Sequence, residues 1–137
     1  MLLALATAGC ESPSADPQQS AVAAEKLLLS EEPEQALALL EDAIRDAPAD
    51  THLRVLAARA ALALGKPAMA EGSLQRALTL GAARADLVAD LARSQLEQSV
   101  TMAREVGDGY QLSAAAGSLA DLLRMDGSLD AAESLYE

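Results

Sequence analysis

Between Glu31 and Arg84 the apolar positions of this chain follow a helical rhythm that is written twice. The first copy, PEQALALLEDAIRDAP, runs from Pro33 to Pro48, and the second, PAMAEGSLQRALTLGA, from Pro67 to Ala82. Ala36 stands against Ala70 and Ala43 against Ala77, thirty-four residues apart in each case. Spacings of three and four put such residues on one face of a helix. Counting a unit from Pro17, the small and large positions are Ala24, Leu27, Ala36, Leu40 and Ala43, closed by Pro48. Counting from Thr51 they are Ala58, Ala61, Gly65, Ala70, Leu74 and Ala77, with Ala82 where the closing proline stood. Two antiparallel helices approach closely only where a residue without bulk faces its partner, so Ala marks the crossings and Leu fills the space between them. Gly65 falls in the turn, where positive φ is useful. No stretch alternates with a period of two, and β-branched residues are few. The fold class is all-α, built from helix-turn-helix units in residues 17–98 that begin at 17, 51 and 85.

The third unit keeps this pattern only at its start. The run ADLVADLARSQLEQ after Arg84 supplies Leu91 and Ala92, yet Ser99 stands where the turn glycine belongs and Arg104 where a small residue belongs. Residues 99–112 therefore read as an irregular, shortened segment, with a turn at Gly107, Asp108 and Gly109. The pattern resumes in 113–137 with Leu119, Ala120, Leu123, Gly127, Ala132 and Tyr136. Gly127 follows Gly65 by sixty-two residues, six short of two periods. Glu137 falls midway through a second helix, which would leave an apolar flank uncovered, so the expectation is an array that continues into a longer protein.

Residues 1–10, MLLALATAGC, form an apolar run closed by small residues and a cysteine, which suits a secretory leader and is too short to span a membrane. Ala8, Gly9 and Cys10 resemble the end of a bacterial lipobox, which implies cleavage before Cys10 and lipid on its thiol. No basic residue precedes the run, so the leader is expected to begin upstream. Residues 11–16 are polar with Pro and Ser, a tether that cannot bury enough apolar surface to order itself. With a single cysteine the chain forms no intramolecular disulfide.

Composition narrows the function classes. The chain carries 21 acidic and 10 basic residues, with no basic cluster, so it lacks the electrostatic footprint of a nucleic-acid binder and is not drawn to an anionic bilayer. Membrane attachment falls to the lipid. His52 is the only histidine, which leaves no histidine-rich metal cluster and no Ser/His or Cys/His dyad. Gly65 and Lys66 lack the upstream glycine and the following hydroxyl of a phosphate loop. Asp126, Ser128, Asp130 and Glu137 have the spacing of a calcium loop, but Ala131 occupies the place of its glycine, and repeat register accounts for these residues better. No enzyme activity, cofactor or metal is expected.

The thirty-four-residue period and its small-residue register resemble those of the tetratricopeptide repeat (TPR). In that family the first helix of each pair lines a concave groove. Carrying over the second, fifth, ninth and twelfth repeat positions yields Gln18, Ala21, Glu25 and Leu28, then His52, Val55, Arg59 and Leu62, then Asp86, Ala89, Arg93 and Leu96. Stacking implies a polar row of Glu25, Arg59 and Arg93 beside an apolar row of Leu28, Leu62 and Leu96, a strip for an extended peptide or a partner helix. Pairing of Glu and Arg between repeats on a merely solvated face is the competing reading.

A lipobox-like start followed by an acidic, Ala-rich array is similar to the TPR-repeat lipoproteins of the PEP-CTERM and exosortase system, above all over Leu64 to Gln98, where GAARADLV replaces a Pro-closed turn and Leu91 to Arg93 read LAR. The resemblance implies a non-catalytic scaffold lipoprotein at the cell envelope, serving exopolysaccharide production or protein sorting. Glu11 after the cysteine, rather than Asp, implies the outer membrane by the same family rule. A TPR lipoprotein for assembly of a pilus or secretion channel is the alternative.

Overall fold

A computed structural model describes residues 16–125 and 127. Cys10, the leader, the tether up to residue 15, Asp126 and residues 128–137 lie outside the described residues, and with them the anchor and the second half of the last repeat. The described residues form six helices and no strand: α1 (Pro17–Leu29), α2 (Pro33–Asp46), α3 (Thr51–Ala63), α4 (Pro67–Thr79), α5 (Arg84–Val106) and α6 (Gly109–Met125). They pack in sequence as antiparallel pairs.

Local chemistry sets where each helix begins. Asp16 caps α1 by accepting from the backbone N–H of Gln18, and Asp50 caps α3 by accepting from that of Leu53. α2 and α4 open instead on Pro33 and Pro67, whose missing N–H is one of the donors that an N-terminus leaves unsatisfied anyway. Both pairs of starts are thirty-four residues apart.

Helix ends obey the same register with one exchange of residue. At the end of α3, Lys66 N–H donates to Ala61 C=O and Gly65 N–H to Leu62 C=O, with Gly65 in the left-handed region at φ +68°. α1 ends with the equivalent pair, Glu32 N–H to Leu27 C=O and Glu31 N–H to Leu28 C=O, but the left-handed residue is Glu31 at φ +58°. The even helices stop differently. Ala82 N–H donates to Ala77 C=O, a bond that Pro48 cannot make, so α2 ends on an extended Ala47 (φ −128°, ψ 71°) before the proline.

The small positions are where the helices meet. Ala24, Ala36, Ala58 and Ala70 are fully buried, as are the paired leucines Leu40 and Leu74. One core lies among α1, α2 and α3, a second among α3, α4 and α5, and a third between α5 and α6. Ser94, the one completely buried polar residue among the described residues, satisfies its hydroxyl on the Leu91 carbonyl at 2.8 Å. α1 touches α3 and α3 touches α5, whereas α2 and α4 do not meet; the side on which the odd-numbered helices touch is the inner face of the helix array.

The third unit corrects the expectation of an irregular 99–112. α5 continues without interruption through Ser99 to Val106, and only Gly107, at φ +73°, turns the chain. Ser99 has no means to end the helix: it stays helical and returns its hydroxyl to the Gln95 carbonyl at 2.9 Å. The turn expected around Gly107 to Gly109 is present, with Asp108 accepting from the N–H groups of Tyr110 and Gln111 to start α6.

Candidate functional site

The inner face carries the side chains named by repeat position, and the structure distributes them unevenly. His52 at the start of α3 donates from Nε2 to Glu25 Oε1 of α1 at 3.2 Å. Arg59 reaches from α3 to α5, where Nε and Nη2 both lie 3.1 Å from Asp90 Oδ2. Arg93 stays on its own helix and meets Glu97 one turn on, at 2.8 Å. Each arginine of the expected polar row thus has its own carboxylate. Neither uses Glu25 or Asp86: Glu25 is taken by His52, and Asp86 is exposed.

Exposure ranks these pairs. Arg59 is 50% exposed while Asp90 is only 17% exposed, so the carboxylate is held by the fold and the guanidinium remains reachable from solvent. An exposed pair of this kind contributes up to about 1 kcal/mol to stability. The Arg59–Asp90 and Glu25–His52 contacts also join α1 to α3 and α3 to α5, which sets the spacing of the inner face.

The apolar row is not an open strip. Leu28 packs against the first core and Val55 against the second. Leu62 is only 3% exposed, because its side of α3 is the contact with α4 and α5. Leu96 is covered by α6, packing with Val100, Ala116 and Leu119. Ala21 is buried, and Gln18 is exposed beside the Asp16 cap. At the third unit α6 comes up beside the expected groove: Ala89, which stays exposed, and the half-buried Arg93 share a small crevice with Leu122 and Leu123 of α6.

What remains open there is a cavity of about 290 Å³ between the end of α3, the middle of α5 and α6. Leu62, Val100, Leu119 and Leu123 supply its apolar lining, and Arg93, Glu97 and Arg104 its charge. Arg104 makes no ion pair with a described residue, so the cavity wall carries two cations against one carboxylate in a chain of net charge −11. The groove positions taken from the repeat omitted Asp90 and Glu97, and they left Arg104, Leu119 and Leu123 as register positions rather than lining of a site. Glu97 was findable from its i,i+4 relation to Arg93. The α6 leucines were not, since their placement depends on α5 being one unbroken helix.

Among the described residues, no group of three His, Cys, Asp or Glu side chains is placed to hold a metal ion. No described helix is long and apolar enough to cross a membrane. No family model, curated protein or solved structure matches this chain.

Proposed function

We propose that the chain is a TPR-type solenoid acting as a non-catalytic scaffold lipoprotein of the bacterial cell envelope, lipid-anchored at Cys10 and holding a protein or peptide partner on its inner face. One observation supports the solenoid reading above the rest. The starts of α1 and α3, and of α2 and α4, recur at thirty-four residues, and the odd-numbered helices touch one another while α2 and α4 do not. Identical units that rotate slightly from one to the next have that consequence, and the concave side is where an extended partner gains most contact. The system served is the PEP-CTERM and exosortase-linked one on the resemblance over Leu64 to Gln98, with the outer membrane as the site of anchoring.

Two substitutions test the reading. Cys10→Ser should abolish labelling by a lipid precursor and release the protein from the membrane fraction; unchanged membrane association without label overturns the anchor. Arg59→Ala combined with Arg93→Ala should reduce capture of envelope partners while helical content by circular dichroism is retained. Undiminished capture would place the partner elsewhere than the inner face.

A further inference from the structure

α5 is ten residues longer than α4, its antiparallel neighbour, and so projects beyond the point where α4 begins. Gln98 Nε2 donates to Glu71 Oε2 at 2.6 Å, where the two helices still lie side by side. Past that bond, α5 presents the exposed Thr101 and Met102 beside the first turn of α4. The result is a notch of about 440 Å³, walled on one side by Lys66, Pro67 and Met69 and on the other by Gln98, Thr101 and Met102. It adjoins the cavity between α3, α5 and α6, with which it shares Gly65, Pro67 and Thr101, but none of Arg59, Arg93 and Glu97 lines it.

We propose that this notch is a second docking site, for a partner helix that inserts an apolar side chain between Met69 and Met102 and sets a carboxylate beside Lys66. The two methionines are 44% and 64% exposed, and their unbranched thioethers adapt to an incoming side chain without a fixed shape. Val106, also exposed, shares with Met102 an adjoining crevice that is also lined by Asp108, whose carboxylate accepts from the Tyr110 and Gln111 N–H groups, so a second apolar anchor one helical turn on would rest on Met102 and Val106.

Charge selects the occupant. No carboxylate lines the notch in a chain that carries 21 acidic residues, and Lys66 is its only charged side chain. Lys66 makes no ion pair with a described residue, and Glu71, close by, is engaged by Gln98. At physiological salt, fields fade over about 8 Å, so an incoming carboxylate is governed by Lys66 rather than by the distant acidic surface. Notch-to-notch pairing of two copies is disfavoured, because it would set two Lys66 ammoniums together and bring no carboxylate to either.

The full chain labelled with ¹³C at its methionine methyls tests the proposal, since it holds only four methionines. The probe is a synthetic helical peptide with Leu at i and i+4 and Glu beside the first, compared with a twin carrying Lys in place of that Glu. The acidic peptide should shift the Met69 and Met102 methyl signals saturably and leave Met125, on α6, unmoved. Lys66→Glu should weaken the acidic peptide by about tenfold and reverse the preference between the twins. Met102→Ser, at an exposed site that leaves folding intact, should abolish the shifts. The proposal is overturned if neither methyl responds, if the twins bind alike, or if binding is lost on Arg59→Ala with Arg93→Ala instead, which assigns the peptide to the inner face. Concentration-dependent shifts without peptide, removed by Met102→Ser, also overturn it in favour of self-association.

Discussion

Glu31 and Gly65 occupy one position of the repeat and do the same backbone work, but only one of them suits it. Both are left-handed, at φ +58° and +68°, and both donate the bond that turns the chain out of its helix. For a residue with a Cβ this conformation costs roughly 1–2 kcal/mol, part of which glycine gives back through its larger unfolded-state entropy. Glu31→Gly should therefore raise stability by about 1 kcal/mol, read as a higher urea midpoint at unchanged slope. Gly65→Ala should do the reverse; a Cβ there meets nothing within 4 Å, so backbone strain alone sets its loss. The crossing alanines fail in another way. Ala70 is fully buried where α4 lies against α3, and Ala70→Leu should overpack that contact at a cost of about 1–3 kcal/mol in a thermal or chemical melt. A neutral outcome would mean that the helices do not cross there.

At the scale of the element, α5 departs furthest from the repeat. A regular unit would place a turn near Ser99 and a second helix after it, whereas α5 runs 23 residues as one helix. Between Ser94 and Val106 there is neither a glycine or asparagine to take the left-handed region nor a proline to stop the chain as Pro48 stops α2, so propagation continues to Gly107. One missing turn reverses everything after it: α6, matched by sequence register to the first helix of a pair, runs antiparallel to α5 and closes over Leu96. Ser99→Pro separates a helix from a turn at this point. Within a continuous helix it removes a backbone bond and clashes with the preceding turn, for a loss of about 3 kcal/mol in denaturant and of ellipticity at 222 nm. A turn at Ser99 would absorb the proline with little change.

Among the described residues, three cores are strung along the chain rather than merged, and of the other five helices α6 meets only α5. Stability in such an arrangement is carried by neighbouring contacts, and distant helices open independently. Leu40→Ala, at a fully buried site in the first core, should cost about 2–5 kcal/mol there. Hydrogen exchange followed by mass spectrometry should then show protection falling most in α1, α2 and the start of α3, with α6 nearly unaffected. A uniform loss of protection would mark a single cooperative body instead.

The sequence by itself determined the all-α class, the residues at which α1 to α4 begin, the buried alanines and leucines of the first two units and the turn at Gly107, because helical spacing, caps and glycine act over one or two turns. It also placed Arg59 and Arg93 at equivalent repeat positions, yet their partners were decided in three dimensions. Arg59 finds Asp90 across a helix boundary, and Arg93 finds Glu97 on its own helix. Repeat position specifies a Cα and a direction; a guanidinium on four bonds takes whichever carboxylate packing brings within reach. The burial of Leu62 was decided by the packing of α3 against α4 and the start of α5, and the cover over Leu96 by the length of α5 and the direction in which α6 returns along it.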